Sequence, residues 1–228
     1  MAMWYFTRAT GAVALVLLTV TLVLGIVDVT RLSSPRLPRF VVDGLHRTVS
    51  LAVVALVAIH VLTSVLDSFA PVALADAIVP FGGAYRPVWL GLGALSFDLI
   101  LALTVTSLLR ARLGVRVWRA VHWLAYACWP LALVHGLGTG SDVRPGWLLW
   151  VSIGCTGAVA LAVLARAASA YSAGVAVTGA LAAVAAGVLA LAVWIPSGPL
   201  AGGWAKKAGT PPSQLGSPTN GSARGGSP

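Results

Sequence analysis

An all-α integral membrane protein, a bundle of six transmembrane helices, is the fold class this sequence predicts, and three observations predict it. The chain of 228 residues is 58% hydrophobic and only 9% charged, with a mean hydropathy of +0.92. That leaves too little polar surface to coat a water-soluble globule. Six segments approach the roughly 20 apolar residues that cross a bilayer as helix. Arginines cluster in the short connections between those segments, where positive charge reports membrane orientation.

The first span covers 9–28 and follows Arg8. A signal peptide would look similar, but this run is long for one and no small-x-small cleavage site precedes "DVTRLSSPRLPR", so the helix is read as retained. The second span, 45–66, contains "HRTVSLAVVALVAIH". A semi-apolar loop rich in proline and glycine, 67–87, follows and is read either as a cap over the outer ends of the helices or as an ordinary connection. The third span, 88–109, carries Asp98, the one acid well inside a span. The basic stretch "RARLGVRVWR" leads into the fourth span, 120–138, with "HWLAYACWPLALVH". The fifth and sixth spans, 147–165 and 174–195, are crowded with small residues suited to close packing in lipid, and read as scaffold. Residues 1–196 therefore form one membrane domain. Residues 197–228 are rich in Pro, Gly and Ser, have no periodicity, and are expected to form a disordered extracytoplasmic tail.

Arg31, Arg36, Arg39, Arg47, Arg110, Arg112, Arg116, Arg119 and Arg166 fall on one side of these spans, against Arg8, Arg86 and Arg144 in the opposite short segments. The positive-inside rule then puts both termini of this multi-pass protein outside the cytoplasm, and the Ala-, Val-, Leu- and Arg-rich, Lys-poor vocabulary points to a bacterial plasma membrane. The net charge of +9 belongs to this pattern and not to a nucleic-acid-binding face. The six acids are all aspartate, which argues against hydrolysis by paired carboxylates. Cys128 and Cys155 sit in apolar runs, form no CxxC or CxxCH, and read as small buried hydrophobes.

The chain's four histidines come in two pairs, His46 with His60 and His122 with His135. Within a helix the members of a pair lie roughly 20 Å apart, so neither helix alone can chelate a metal. With the second and fourth spans running in the same direction, His46 can face His122 near the inner surface and His60 can face His135 near the outer. On a straight helix His60 falls about 40° from the face of His46, but His135 falls about 140° from His122. A bend at Pro130 is expected to restore that alignment. Polar groups in hydrocarbon are costly and mark function by default, and burial favours the neutral imidazole that can bind a metal. Zinc wants four protein ligands and each tier offers two. Haem iron brings four equatorial nitrogens and needs only two axial ligands. Two b-type haems, unattached for want of a CxxCH, are the economical reading.

The spacings H-x13-H and H-x12-H on two outward-running helices resemble the ferric-reductase-like transmembrane domain superfamily over about residues 1–166. That superfamily includes NADPH oxidases, ferric reductases, and the haem-bearing membrane subunit of bacterial periplasmic methionine-sulfoxide reductase. The resemblance implies that His46 with His122 ligates an inner haem and His60 with His135 an outer one. It also implies electron transfer from a cytoplasmic-side donor to an extracytoplasmic acceptor such as ferric iron, oxygen or a partner redox protein. The sequence has no glycine-rich strand–turn–helix for a flavin or NADPH domain, so the donor is expected to be a separate flavin reductase or a membrane quinol. The chemical role is that of an oxidoreductase or its electron-transfer subunit, with lipid and redox proteins as partners and no nucleic acid.

Haem propionates need cations at the membrane edges. Arg47 and Arg119 are candidates at the inner tier; Arg8, with Arg86 or Arg144, at the outer. Trp129 lies between the tiers, where it could bridge them or simply pack. Three other readings stand beside this one: a haem subunit dedicated to one extracytoplasmic oxidoreductase, a proton channel or transporter with a histidine relay, and a membrane scaffold.

Overall fold

A computed structural model describes residues 2–30, 38–67, 70, 72–140, 146–169 and 173–215. Every regular element among them is helical. In chain order these are α1 (Ala2–Thr30), α2 (Arg39–Leu66), α3 (Pro87–Leu108), α4 (Arg110–His122), α5 (Ala125–Thr139), α6 (Trp147–Ala168), α7 (Ala173–Ser197) and the single turn α8 (Trp204–Lys207). Short 3-10 turns lie at Leu74–Ala77 and Pro212–Gln214. Five helices are long and apolar enough to cross a membrane, and α4 with α5 makes a sixth span if the bent pair is counted as one. The chain is thus an all-α integral membrane bundle.

The helix starts follow from local chemistry. Pro38 extends the backbone before α2, and Pro87 occupies the first turn of α3, where its missing N–H costs nothing. Gly146 precedes α6 at φ 93°, a conformation glycine adopts without penalty. α4 is interrupted at Gly114, φ 77°, where most other residues would be strained.

One expectation is corrected in the fourth span. The chain breaks at Trp123–Leu124 and bends by 46°, whereas Pro130 lies inside α5, downstream of the break. A single straight helix would have sent its two histidines to different faces; splitting the span lets α4 and α5 aim one each.

α1 packs along α2 and α3 along α5, and α1 also touches α5, so these four helices surround a common centre. α6 lies against α1 and α7 against α6, as an outer layer. The main core joins Leu15, Leu22 and Ile26 of α1 to Trp129, Leu133 and Leu137 of α5, and to Leu148 and Cys155 of α6. A smaller cluster of Val53, Ile100 and Cys128 fills the middle of the four-helix group. Both cysteines are free and buried.

The ordered chain continues past residue 197. Residues 198–215 turn back over the end of the bundle that holds the N-terminus, and Ala208 is buried there. The remainder of the expected tail, 216–228, lies outside the described residues, as do Arg31, Arg36, Arg144 and Arg224.

Candidate functional site

The histidines meet across the helices in two tiers. At the arginine-rich end the ring centroids of His46 (α2) and His122 (end of α4) are 6.2 Å apart, and at the N-terminal end those of His60 (α2) and His135 (α5) are 6.3 Å apart. Two imidazoles gripping one ion from opposite sides need roughly twice a 2 Å metal–nitrogen bond plus twice about 1.1 Å from nitrogen to ring centre, or about 6 Å in all. Both tiers have that spacing. Among the described residues no three His, Cys, Asp or Glu side chains gather into a metal-binding group, so each tier offers two imidazoles and nothing more.

The rings are oriented from behind. His60 Nδ1 lies 2.9 Å from the Thr7 carbonyl oxygen, His46 Nδ1 3.0 Å from that of Thr21, and His135 Nδ1 2.8 Å from that of Trp89. A carbonyl can only accept, so each Nδ1 carries the proton and donates it, leaving the Nε2 lone pair for a ligand. A carbonyl behind the imidazole is the usual way a metal-binding histidine is fixed. His122 differs: its Nδ1 is buried without a hydrogen-bond partner, and its ring stacks on Trp118 at 4.8 Å. The guanidinium of Arg110 lies 4.2 Å from the other aromatic partner in this stack, the centre of the Trp118 ring.

Each of the three anchored rings also rests in a glycine notch four residues beyond its carbonyl. A methyl group on Gly11 would stand 2.8 Å from His60, and one on Gly25 would stand 3.3 Å from His46. On Gly93 it would collide with His135. The notches on α1 repeat: "TRATG" at 7–11 and "TLVLG" at 21–25 are offset by the same interval that separates His46 from His60. Because α1 and α2 are antiparallel, the first Thr-x3-Gly serves His60 and the second serves His46. Thr7 and Thr21 each also keep a buried hydroxyl without a partner. Sequence reading missed this repeat, and the matched interval was the signal that could have revealed it.

Around His60 and His135 lies a cavity of about 250 Å³, lined mainly by apolar side chains with Thr7, Arg8, Gly11 and Gly93 on its walls. The loop before α3 closes over it through Val72, Asp76 and Tyr85. Two imidazole pairs at ligating distance, with the Nδ1 proton of three of the four rings turned away to a carbonyl, form a donor set that fits a bis-histidine haem.

The arginines divide. Arg8 borders the cavity, its guanidinium 4.5 Å from the centre of the Trp4 ring. Arg47 and Arg119 have exposed side chains that make no hydrogen bond or ion pair among the described residues. Arg86 is buried, its guanidinium committed to the Gly138 and Thr139 carbonyls and to the Thr210 hydroxyl. Trp129 is buried in the main core and donates to the Thr19 hydroxyl at 2.8 Å, a packing role. Asp98 is half-buried, with no hydrogen-bond or ion-pair partner among the described residues.

A family model, ferric reductase like transmembrane component, matches residues 10–133, more than half of the chain. The chain belongs to that family. No curated protein and no solved structure matches it.

Proposed function

We propose that this protein is a transmembrane electron carrier of the bacterial cell membrane holding two b-type haems, one in each histidine pair. The observation that carries the reading is the pair of imidazole tiers, at 6.2 and 6.3 Å, with Nδ1 anchored to a backbone carbonyl in three of the four rings. His46 and His122 would hold one haem, and His60 and His135 the other. Bound there, haem would supply one-electron chemistry at iron, with its potential set by axial ligation and burial.

The chain's own groups do the rest. Carbonyls of α1 and α3 hold the imidazoles in one tautomer, and glycine notches let the rings approach the helices. Val53, Ile100 and Cys128 fill the space between tiers, and the buried Ser96 hydroxyl donates to the Cys128 carbonyl beside them. Three of the four Nδ1 protons are held by backbone carbonyls that cannot pass them on, which supports electron tunnelling over the proton-relay reading. Arg8 places positive charge beside the N-terminal-end cavity, where a propionate needs it; Arg47 and Arg119 can reach the other tier's edge by their long stems.

The arginine-rich end faces the cytoplasm and the N-terminal end faces outward. Electrons then leave a negative interior, a gain of about 2.3 kcal/mol per 100 mV. The donor is a separate flavin reductase or quinol; the acceptor is ferric iron, oxygen or a partner redox protein. Liposomes carrying the protein and loaded with ferricyanide test this when dithionite is added outside. Rapid bleaching of the trapped ferricyanide is expected, lost in both His46→Ala and His60→Ala. Bleaching no faster than in protein-free liposomes would contradict the proposal.

A further inference from the structure

The segment 198–215 touches the two elements that fix His135, by two separate routes. On the first, the Trp204 ring lies 5.1 Å from Trp89 and 6.2 Å from Trp194, and Trp89 stacks on Trp194 at 5.1 Å. Trp89 is the residue whose carbonyl accepts from His135. The Trp204 indole N–H also donates to the Gly138 carbonyl, 3.0 Å away, on the last turn of α5.

The second route runs through Arg86. Its side chain donates to the Thr210 hydroxyl at 2.9 Å and to the Thr139 carbonyl at 2.8 Å, while its backbone N–H donates to the Gly209 carbonyl at 3.0 Å. Thr139 in turn donates its hydroxyl proton to the His135 carbonyl at 2.7 Å. Arg86 sits at φ 41°, in the left-handed region, which a non-glycine residue holds only when its surroundings over-determine it. Gly209, at φ 89°, makes the turn that lets this stretch close on Arg86 and Pro87. The family match covers residues 10–133, so Arg86 and Trp89 lie inside the shared part of the chain, whereas Thr139 and the whole of 198–215 lie beyond it.

We infer that residues 198–215 are a latch that holds His135 in its ligating position through Trp204 and Thr210. The inference rests on the haem reading above, and its test reads the two tiers separately. With two histidines holding each haem, neither tier would offer carbon monoxide a place to bind. With the latch opened, His135 would be free to leave its place opposite His60, and that tier alone would admit carbon monoxide.

Trp204→Ala, Thr210→Val and their double variant are purified with the full chain, reduced with dithionite and exposed to carbon monoxide. The expected result is carbon monoxide binding at one haem per chain in the double variant and little in wild type. The other haem stays low-spin and vouches for the fold. Thr210→Ser, which keeps the hydroxyl, restores the wild-type spectrum. Carbon monoxide binding unchanged in the double variant would overturn the latch, as would loss of both haems together. A wild-type protein without haem would overturn the underlying reading, a different outcome that the first spectrum reveals.

Discussion

A histidine side chain inside a membrane is informative because it is rare, and here the four of them announced the site. What the sequence hid at this scale was the other half of each contact. Gly11, Gly25 and Gly93 read as ordinary small residues of a membrane helix, and a backbone carbonyl has no residue code at all. A glycine's missing Cβ matters only once the opposing ring is known. The notches make a sharp expectation. Gly93→Ala drives a methyl into His135, and overpacking of this kind costs about 1–3 kcal/mol. Haem affinity at the N-terminal end should then fall roughly 5- to 150-fold, at 1.4 kcal/mol per tenfold. Haem titration of the apoprotein would resolve one weakened site beside one unchanged; two unchanged sites would show that Gly93 seats nothing. His122 has no carbonyl anchor: its buried Nδ1 lacks a hydrogen-bond partner and its ring is held by the stack on Trp118. A buried donor left unpaired costs about 1–3 kcal/mol.

At the scale of the element, the spans were legible because hydropathy reports them directly, and α1, α2, α3, α6 and α7 lie where the apolar runs are. The break between α4 and α5 was not legible. Pro130 was the only visible breaker, yet the bend falls at Trp123–Leu124, which carry no glycine or proline. The physical demand for it comes from the histidines, because their spacing cannot serve two tiers on one straight helix. α1 raises the opposite point: it has no histidine, yet it anchors both rings of α2. Inserting one alanine between Gly11 and Gly25 would rotate one Thr-x3-Gly face by about 100° relative to the other. One tier should be lost while the second survives, seen as a halving of bound haem. Retention of both would mean that the α1 repeat has no part in holding the rings.

At the scale of the whole molecule, the described residues form a centre of α1, α2, α3 and α5, extended by α4, with α6 and α7 outside it and a cover at one end. The class was readable from composition, since so few charged residues leave too little polar surface for a soluble globule, and membership of the ferric reductase-like family agrees with it. The cover was not readable. The Pro, Gly and Ser content of 197–228 suggests disorder, and only Trp204 hinted that part of it folds back onto α3 and α5. α6 and α7 add an outer layer on the α1 side, while the loop before α3 and the stretch 198–215 close the N-terminal end. The account's central claim is that both histidine pairs hold a haem, and the most direct measurement is the haem-to-protein ratio from reduced-minus-oxidised spectra of the detergent-purified chain. It predicts sharp α and Soret bands of low-spin b-type haem at two per polypeptide. A featureless spectrum from folded, haem-supplied protein would contradict it.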